Sequence, residues 1–254
     1  MLSTIMARST FGMPAAGTRS DGAASLELGP ADVHIWSLHI ETVPSSIDVD
    51  WSILDEGERT RAARFRSSID RDRFVVGRSW VKQVLAGYLG VVARDVQFCP
   101  DRYGKPLLPA ASGRHCSWSH SRDKWLLAVA AGGAIGLDVE TFDASFDWAQ
   151  TAQVAFHEQE RAFVLAAETG TSRLQRFYNV WTRKEALLKG LGTGLHDDME
   201  RLTIAAPHGR LPAVLPMAEG GCWHLTSLNA LADCAAALAT SFMVAQIWYL
   251  EGQP

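Results

Sequence analysis

The order of predicted strands and helices most narrows the folds open to this chain, because a similar order occurs twice. Residues 33–40 alternate apolar and polar side chains with period two, which predicts a strand. Residues 69–89 carry apolar side chains at helical spacing, which predicts a helix. Three short strands are expected after it, at residues 96–99, 105–108 and 125–131. The glycine pair Gly132-Gly133 then indicates a turn that ends this first half.

The second half repeats the pattern of a strand, then helices, then further strands. Its first strand is predicted at residues 134–139. Three helices are expected next, at residues 147–156, 158–168 and 172–190. Four strand-like runs follow, near residues 202–205, 223–228, 234–238 and 244–250. We therefore expect an α+β fold of two similar α/β subdomains related by a pseudo-twofold axis, with the active site at their interface.

The predicted division of the chain has three parts. The N-terminal subdomain covers residues 31–132 and the C-terminal subdomain covers residues 133–254. Residues 1–30 are rich in Ala, Gly, Ser and Thr, and we expect them to form a flexible N-terminal extension.

The bulk composition argues against several classes of protein. A net charge of −4 gives no global basic field that would recruit nucleic acid. The chain lacks a run of about eighteen apolar residues, so no membrane span is expected. Its four cysteines form no CxxC pair, and reduced thiols in a cytoplasmic protein are the simplest expectation. Basic residues nevertheless outnumber acidic ones between residues 59 and 82, which predicts a local basic patch or a solvated helical face.

Two carboxylates lie at the end of the strand predicted at residues 134–139. Asp138 and Glu140 are two residues apart, so their side chains point to one face of the strand. Such a pair repels, and a cation between the two groups relieves the repulsion. Oxygen-only ligands favour Mg²⁺, with Mn²⁺ as an alternative, and bound Mg²⁺ commonly accepts substrate phosphates as well. Two solvated acids at a strand end are the competing interpretation.

A charged segment interrupts the apolar pattern of the helix predicted at residues 172–190. Glu185 and Lys189 are one helical turn apart, so they could form an ordinary surface pair. The competing interpretation makes Glu185 a third metal ligand and makes Lys184 and Lys189 phosphate ligands, since lysine suits phosphate as a mobile point charge.

Three further motifs carry polar or titratable groups. Residues 117–121 (SWSHS) lack a G-x-S-x-G elbow around Ser119, so a hydrolase site is not expected. They predict a polar loop that donates hydrogen bonds to phosphate, with a surface turn as the alternative. Residues 103–106 (YGKP) predict a turn that places Lys105 in an extended segment. Glu160 lies near the start of a helix, where it either faces the site or is solvated.

These motifs occur together, in one order, in a known family. The chain resembles the 4′-phosphopantetheinyl transferases of the long, two-subdomain Sfp type, between residues 33 and 250. The matching segments are residues 103–106, 119–121, 135–140, 156–160 and 181–189.

The resemblance implies a role for each candidate residue. Asp138, Glu140 and Glu185 are expected to bind magnesium together with the pyrophosphate of coenzyme A. Glu185 is the first candidate for the general base, Glu160 is the second, and Lys189 is expected to stabilise charge during the reaction. Seven side chains are expected to contact coenzyme A: Arg61, Arg73, Lys105, Ser119, His120, Lys184 and Lys189.

The resemblance also implies an activity and its partners. The expected enzyme transfers 4′-phosphopantetheine from coenzyme A to a serine of an apo acyl or peptidyl carrier protein and releases adenosine 3′,5′-bisphosphate. The carrier could serve fatty acid, polyketide, nonribosomal peptide or lysine synthesis, and we expect a monomer. Two alternatives stay open: a magnesium-dependent phosphohydrolase, and a catalytically silent module that binds coenzyme A or a carrier.

Overall fold

A computed structural model of the protein contains two main β-sheets and five α-helices in the described part of the chain. The described residues are 8–10, 27–40, 51–193, 199–200, 202–204, 211–217, 220–228 and 231–252. The mixture of sheets and helices confirms the predicted α+β class. Within these residues, none of the helices combines the length and the hydropathy that a membrane span requires.

Eleven strands and five α-helices lie in the described part of the chain. The strands are β1 (Arg8–Thr10), β2 (Asp32–His39), β3 (Cys99–Pro100), β4 (Pro106–Leu107), β5 (His115–Ser121), β6 (Lys124–Ala130), β7 (Ile135–Thr141), β8 (Val214–Pro216), β9 (Cys222–Leu228), β10 (Cys234–Thr240) and β11 (Gln246–Glu251). The helices are α1 (Glu56–Ala63), α2 (Ser68–Leu89), α3 (Trp148–Ala155), α4 (Glu158–Leu165) and α5 (Gly170–Leu191).

The first sheet combines strands from both ends of the described chain, in the order β1-β11-β2-β6-β5. Strand β2 is antiparallel to β6, and β11 runs parallel to β2 on its other side. The second sheet has the order β7-β10-β9-β8, with antiparallel neighbours throughout. Strand β11 therefore follows the second sheet in the chain but pairs with the first.

Connectivity in the two halves is alike. In the first half, β2 is followed by the 22-residue helix α2 and by the antiparallel pair β5 and β6, which gives the sheet order β2-β6-β5. In the second half, β7 is followed by the 22-residue helix α5 and by β9 and β10, which gives β7-β10-β9. The predicted repetition of element order is thus present, while the division at residue 132 and the pseudo-twofold axis stay predictions.

Helix α2 begins and ends where the sequence supplies caps. The Ser67 hydroxyl accepts a hydrogen bond from the Asp70 amide at 3.3 Å. Gly90 ends the helix in the left-handed conformation, with φ of 67°. Gly77 faces Trp125 of β6, where a Cβ atom would overlap the indole ring. The missing side chain at residue 77 therefore lets the helix approach the first sheet closely.

Apolar side chains fill the space between four layers. Alternate residues of a strand face opposite sides of its sheet. Accordingly, Trp36 and Leu127 pack under α2 on one side of the first sheet. Ile35 and Leu126 face the other way and pack against the second sheet, where they meet Leu137 of β7. Helix α5 covers the opposite side of the second sheet, so the layer order is α2, first sheet, second sheet, α5.

Several predicted elements need correction. Residues 117–121 are predicted as a polar loop that donates hydrogen bonds to phosphate, but they lie in β5, where the Ser117 and Ser121 hydroxyl groups accept hydrogen bonds from amides of β7. The strand predicted at 96–99 is shorter and is limited to Cys99–Pro100. Residues 202–204 are not part of a strand, and Ala205 lies outside the described residues. Residues 8–10 of the expected N-terminal extension form a strand beside β11.

Candidate active site

Serine side chains join the edge strands of the two sheets, β5 and β7. The Ser117 hydroxyl accepts a hydrogen bond from the Leu137 amide at 3.0 Å, and the Ser121 hydroxyl accepts one from the Thr141 amide at 3.0 Å. We call this contact, between residues 117–121 of β5 and 137–141 of β7, the seam. The seam places the polar face of β5 beside the two carboxylates of β7.

Asp138 is buried in the seam and shares a three-way contact with Ser119 and Lys189. Its Oδ1 atom accepts hydrogen bonds from the Ser119 hydroxyl at 2.8 Å and from the Lys189 ammonium at 2.7 Å. The same ammonium lies 2.9 Å from the Ser119 hydroxyl oxygen, to which it also donates. Burial raises the pKa of Asp138, while Lys189 and Ser119 oppose the shift. The structure therefore brings three predicted site residues together from both halves.

Glu140 lies two residues further along β7. Its Oε2 atom accepts a hydrogen bond from the Ser121 hydroxyl at 2.9 Å. Burial and the nearby Asp138 charge raise the pKa of Glu140, and hydrogen bonds from Ser121 and Trp181 act in the opposite direction. The Asp-x-Glu spacing therefore does place two interacting carboxylates on one side of the strand, and neither is an ordinary solvated acid.

Two glycines let helix α5 lie directly on the second sheet. A Cβ atom at Gly136 of β7 would overlap the Ala186 carbonyl oxygen and the Gly190 backbone of α5. A Cβ atom at Gly190 would in turn overlap the Trp223 ring of β9. This close approach brings the last turns of α5, which carry Glu185 and Lys189, to the seam.

Glu185 is a buried carboxyl group with an unusual acidity. The residue is only 5% exposed, which excludes the interpretation of Glu185 as half of a solvated surface pair. Burial raises the pKa of Glu185 to about 7, with the Asp138 and Glu140 charges adding to the rise and Lys189 opposing it. A carboxyl group with this acidity can hold or accept a proton near neutral pH.

The three acids fit a cation in part. Asp138 Oδ2 and Glu185 Oε1 are buried oxygen atoms without hydrogen-bond partners among the described residues. A divalent cation would satisfy such atoms and relieve the repulsion that raises their pKa values. As they stand, however, no three Asp, Glu, His or Cys side chains within the described ranges are arranged so that they could hold a metal ion. The magnesium site of Asp138, Glu140 and Glu185 therefore stays a prediction.

A cavity of about 560 Å³ opens beside these acids. Glu185 and Lys189 line it from α5, and Arg61, Lys105 and His120 line it from the first half. Lys189 thus connects the cavity to Asp138, because it lines the first and bonds to the second. The cavity wall combines cationic groups with the aromatic rings of Phe74, Phe98, Tyr103, Trp118 and Trp125.

His120 lies near two cationic side chains of the cavity wall, Lys189 and Arg61. Its ring stacks on Trp125 with centroids 4.3 Å apart. Burial lowers the pKa of His120, and the charges of Lys189 and Arg61 lower it further. An anion bound beside Lys189 and Arg61 would offset their charges and favour the protonated imidazole of His120, so this corner suits a phosphate.

Comparisons with known proteins identify the family of this chain. A model of the 4′-phosphopantetheinyl transferase superfamily matches residues 134–239. HetI, a 4′-phosphopantetheinyl transferase of Nostoc sp., is 32% identical over 220 residues, which cover 85% of this chain and 91% of HetI. The chain belongs to the 4′-phosphopantetheinyl transferase family. Sfp, a 4′-phosphopantetheinyl transferase of Bacillus subtilis, is 25% identical over 177 residues, which cover 69% of this chain and 77% of Sfp.

Family membership confirms the resemblance predicted from the motifs, and it identifies the protein as a transferase. The matched segment contains six of the candidate residues: Asp138, Glu140, Glu160, Lys184, Glu185 and Lys189. The remaining candidates, Arg61, Arg73, Lys105, Ser119 and His120, lie before that segment.

Lys105 of the transferase is already bonded within the protein. Its ammonium donates to the Ile135 carbonyl at 3.1 Å and to the Gly190 carbonyl at 3.0 Å. Burial lowers the pKa of Lys105. The side chain therefore joins the turn at residues 101–105 to the start of β7 and the end of α5, and its expected contact with coenzyme A stays a prediction.

Glu160 and Lys184 form a fully buried ion pair, with their charged atoms 2.6 Å apart. Glu160 also accepts hydrogen bonds from the His157 amide at 2.8 Å and the Ile204 amide at 2.8 Å. Lys184 donates to the Leu202 carbonyl at 2.7 Å. These bonds fix the start of α4 and residues 202–204 to α5. A catalytic role for Glu160 and a coenzyme A contact for Lys184 stay predictions, and the structure gives both residues a structural task.

Sequence reasoning missed a second ionic cluster at the cavity. Arg78 of α2 pairs with Glu58 of α1, and its guanidinium lies over the rings of Trp118 and Phe98 at 4.5 Å and 5.1 Å. Lys82 also bonds to Glu58, at 2.8 Å. The basic patch expected between residues 59 and 82 therefore does not include all of its basic side chains, because Arg78 and Lys82 are buried and paired with Glu58. A signal was present, since both residues lie on the apolar stripe of α2.

Arg61 and Arg73 differ in their placement. Arg61 lines the cavity, and its guanidinium lies 5.2 Å from the centre of the Phe74 ring. Arg73 lies on α2 and is not among the described residues that line the cavity, and its Nε atom is buried without a hydrogen-bond partner in the described part. The geometry therefore supports a ligand contact for Arg61 more directly than for Arg73.

Proposed function

We propose that this transferase moves the 4′-phosphopantetheine group of coenzyme A to a serine hydroxyl of an apo acyl or peptidyl carrier protein. The reaction is magnesium-dependent and releases adenosine 3′,5′-bisphosphate. The observation that carries the proposal is the convergence of Asp138, Glu140, Glu185 and Lys189 at the edge of a cationic cavity. Family membership supports the same activity.

The cavity is proposed to bind coenzyme A. Its volume of about 560 Å³ lies within the usual range of roughly 300–1,000 Å³ for small-molecule sites. Arg61 and His120 are the proposed contacts for a terminal phosphate, with Ser119 and Lys189 nearer to the pyrophosphate. The support for this assignment is that the charges of Lys189 and Arg61 both act on His120, and a bound phosphate would offset them.

Asp138, Glu140 and Glu185 are the proposed holders of magnesium. Their support is the pair of unpartnered buried carboxylate oxygens together with the raised pKa values of all three acids. A bound magnesium ion supplies positive charge that offsets the charge building on the phosphate oxygens. Lys189 supplies a second positive charge from the protein itself, next to Asp138.

The proposed chemistry is one displacement at phosphorus. The carrier serine oxygen forms a bond to the β-phosphorus of coenzyme A, and the bond from that phosphorus to the oxygen of adenosine 3′,5′-bisphosphate breaks. The serine proton passes to Glu185, the first candidate for the general base, because its carboxyl group lines the cavity beside Lys189. Glu160 is a weaker candidate, because both of its carboxylate oxygens already accept hydrogen bonds inside the protein.

The site is proposed to lie between two subdomains related by a pseudo-twofold axis. The support is the matching connectivity around α2 and α5 and the meeting of β5 and β7 at the seam. A cytoplasmic location, a monomeric state and the identity of the carrier stay predictions.

Carrier loading tests the proposed function. The protein is incubated with coenzyme A, MgCl₂ and a panel of apo carriers, and the carriers are weighed intact. We expect the mass of one phosphopantetheine group to be added, and we expect EDTA or replacement of the carrier serine by alanine to prevent it. Addition to none of a diverse carrier panel would overturn the proposal. Release of phosphate without a carrier would favour the phosphohydrolase, and tight binding of coenzyme A without transfer would favour the silent module.

Substitution of Glu185 and Lys189 tests the assignment of roles. Glu185→Gln is expected to abolish loading while circular dichroism stays that of the wild type. Lys189→Ala is expected to lower kcat/KM. Turnover near the wild-type rate in Glu185→Gln would remove Glu185 from the mechanism, and an unchanged kcat/KM in Lys189→Ala would refute its phosphate role.

A further inference from the structure

Hydroxyl groups and carboxylates are matched one to one across the seam. Ser119 and Ser121 are two residues apart on β5, and Asp138 and Glu140 are two residues apart on β7. Ser119 donates to Asp138 at 2.8 Å, and Ser121 donates to Glu140 at 2.9 Å. Equal spacing on neighbouring strands keeps all four side chains on facing sides. The register of β5 against β7 therefore gives each acid one hydroxyl group.

The second contact of Ser121 fixes where its proton points. A serine hydroxyl has one hydrogen to donate and can accept at its lone pairs. The Ser121 oxygen accepts from the Thr141 amide at 3.0 Å, and the Thr141 hydroxyl reaches the Ser121 carbonyl at 3.4 Å. Both strands thus hold Ser121 in place, and its hydrogen is committed to Glu140.

We propose that Ser121 is a positioning residue that holds Glu140 in the orientation needed to share a divalent cation with Asp138 and Glu185. The proposal rests on the proposed function, because the cation belongs to that reaction. Ser119 cannot be separated in the same way, since Lys189 also bonds to it. Within the described residues, the Ser121 hydroxyl bonds to Glu140 and to the Thr141 backbone amide, and to no cationic side chain.

The physical reason is the freedom that Glu140 regains without this bond. A glutamate side chain has several rotamers, and a hydrogen bond from outside the metal shell selects the one that points its free oxygen inward. Loss of such a partner typically weakens metal binding by about 10- to 100-fold. The same loss leaves the cavity wall formed by Arg61, Lys105 and His120 unchanged, because Ser121 does not line it.

The test compares variants by magnesium binding as well as by activity. MgCl₂ is titrated calorimetrically into the complex of the protein with coenzyme A, and carrier loading is followed over a range of MgCl₂ concentrations. Ser121→Ala removes the hydroxyl. Ser121→Thr and Ser121→Val have nearly the same shape and differ in the hydroxyl alone. Ser117→Ala is the control, since it removes a hydroxyl that bonds to the β7 backbone but not to a carboxylate. Because Ser117 also lines the cavity, all titrations are made at saturating coenzyme A.

We expect Ser121→Ala and Ser121→Val to weaken magnesium binding by about tenfold or more, with KM for coenzyme A unchanged at saturating MgCl₂. Ser121→Thr should bind magnesium nearly as well as the wild type, and so should Ser117→Ala even if its Tm falls. If Ser121→Ala does not fold, the Thr and Val pair decides. Equal magnesium binding in that pair, or equal weakening in Ser117→Ala and Ser121→Ala, would overturn the proposal. A wild-type protein that loads no carrier would instead count against the proposed function, whatever the serine variants show.

Discussion

At the scale of single residues, Glu185 shows most clearly how surroundings set chemistry. Its pKa of about 7 lies well above its usual value of 4.5, first because it is buried and then because Asp138 and Glu140 are close. Such a group costs folding free energy whenever it is ionised without a cation nearby. Without a bound metal ion, ionised Glu185 is therefore expected to lower the stability of the wild-type protein at and above neutral pH.

Stability should reveal this cost through its pH dependence. The folded state binds a proton on Glu185 more readily than the unfolded state does, so stability is lost as pH rises from about 4.5 to about 7. In EDTA, Glu185→Gln should therefore become more stable than the wild type by on the order of 1–3 kcal/mol above neutral pH, with little difference near pH 4.5. Urea unfolding at several pH values measures this. A stability difference that does not change with pH would contradict the raised pKa.

Lys105 provides a second prediction at this scale. Lys105→Met removes hydrogen bonds to the Ile135 and Gly190 carbonyls, and we expect it to cost about 1–3 kcal/mol of stability. If the ammonium acts only within the protein, KM should rise by the same factor for coenzyme A and for 3′-dephospho-coenzyme A. His120→Ala serves as the contrast, because it should raise KM more for coenzyme A than for 3′-dephospho-coenzyme A. A Lys105→Met variant that discriminates between the two substrates would restore Lys105 as a phosphate contact.

The candidate residues were predictable to different degrees. Asp138 and Glu140 were found because a two-residue spacing on a strand fixes their relative direction. Glu160 and Lys184 were selected too, but their mutual pairing was not foreseen, since nothing local links two residues on different helices. Arg78 was missed because a basic residue within a basic run is easily taken as solvated, although it lies on the apolar stripe of α2. Its partner Glu58 lies on another helix, and no local pattern links the two.

At the scale of elements, the packing of α5 on β7 decides whether the site forms. Gly136→Ala places a methyl group against the Ala186 carbonyl and the Gly190 backbone, which cannot move as a side chain does. We expect a loss of about 1–3 kcal/mol in unfolding free energy, and a fall in carrier loading because Glu185 and Lys189 shift. Chemical denaturation and loading assays measure the two effects.

Gly170→Ala is the control for that substitution. Gly170 also lies in α5, but a Cβ atom there meets nothing within 4 Å. Alanine at this position should leave stability unchanged or raise it slightly, by about 0.4–1 kcal/mol. A Gly136→Ala variant that is as stable as Gly170→Ala would show that β7 and α5 are not in close contact.

Elements were predictable where a local pattern was sufficient. Helix α2 has an apolar stripe and a glycine stop, and both are visible in the sequence. Strand β5 was mistaken for a loop because its serines and histidine look suited to solvent. The partners of its serines are amides and carboxylates of β7, which follows β6 in the chain, and no local signal in the sequence identifies them.

At the scale of the whole molecule, the two sheets share one apolar interior. Ile35 and Leu126 of the first sheet pack against Leu137 of the second, so each sheet covers the other. Strand β11 strengthens this dependence, because it leaves the second half to pair with β2. The sequence predicted β11 as a strand but gave no indication of its partner, which lies near the opposite end of the described chain.

A fragment of residues 31–132 is therefore not expected to fold alone. It would lack β11 and would expose the apolar face that includes Val33 and Ile35. We expect little cooperative unfolding and few dispersed amide signals in nuclear magnetic resonance spectra of the fragment, compared with the full chain. A cooperatively folded fragment would show that the first half is an autonomous domain.

The position of β11 also has a consequence for synthesis. A ribosome releases β2 early and β11 only after the other strands of the described residues, yet the two must pair side by side. Until then, the edge of β2 that β11 will occupy stays open to pairing with other chains. The first sheet thus begins to form early during translation but is completed late, so the nascent protein should depend on chaperones until its final strand has emerged.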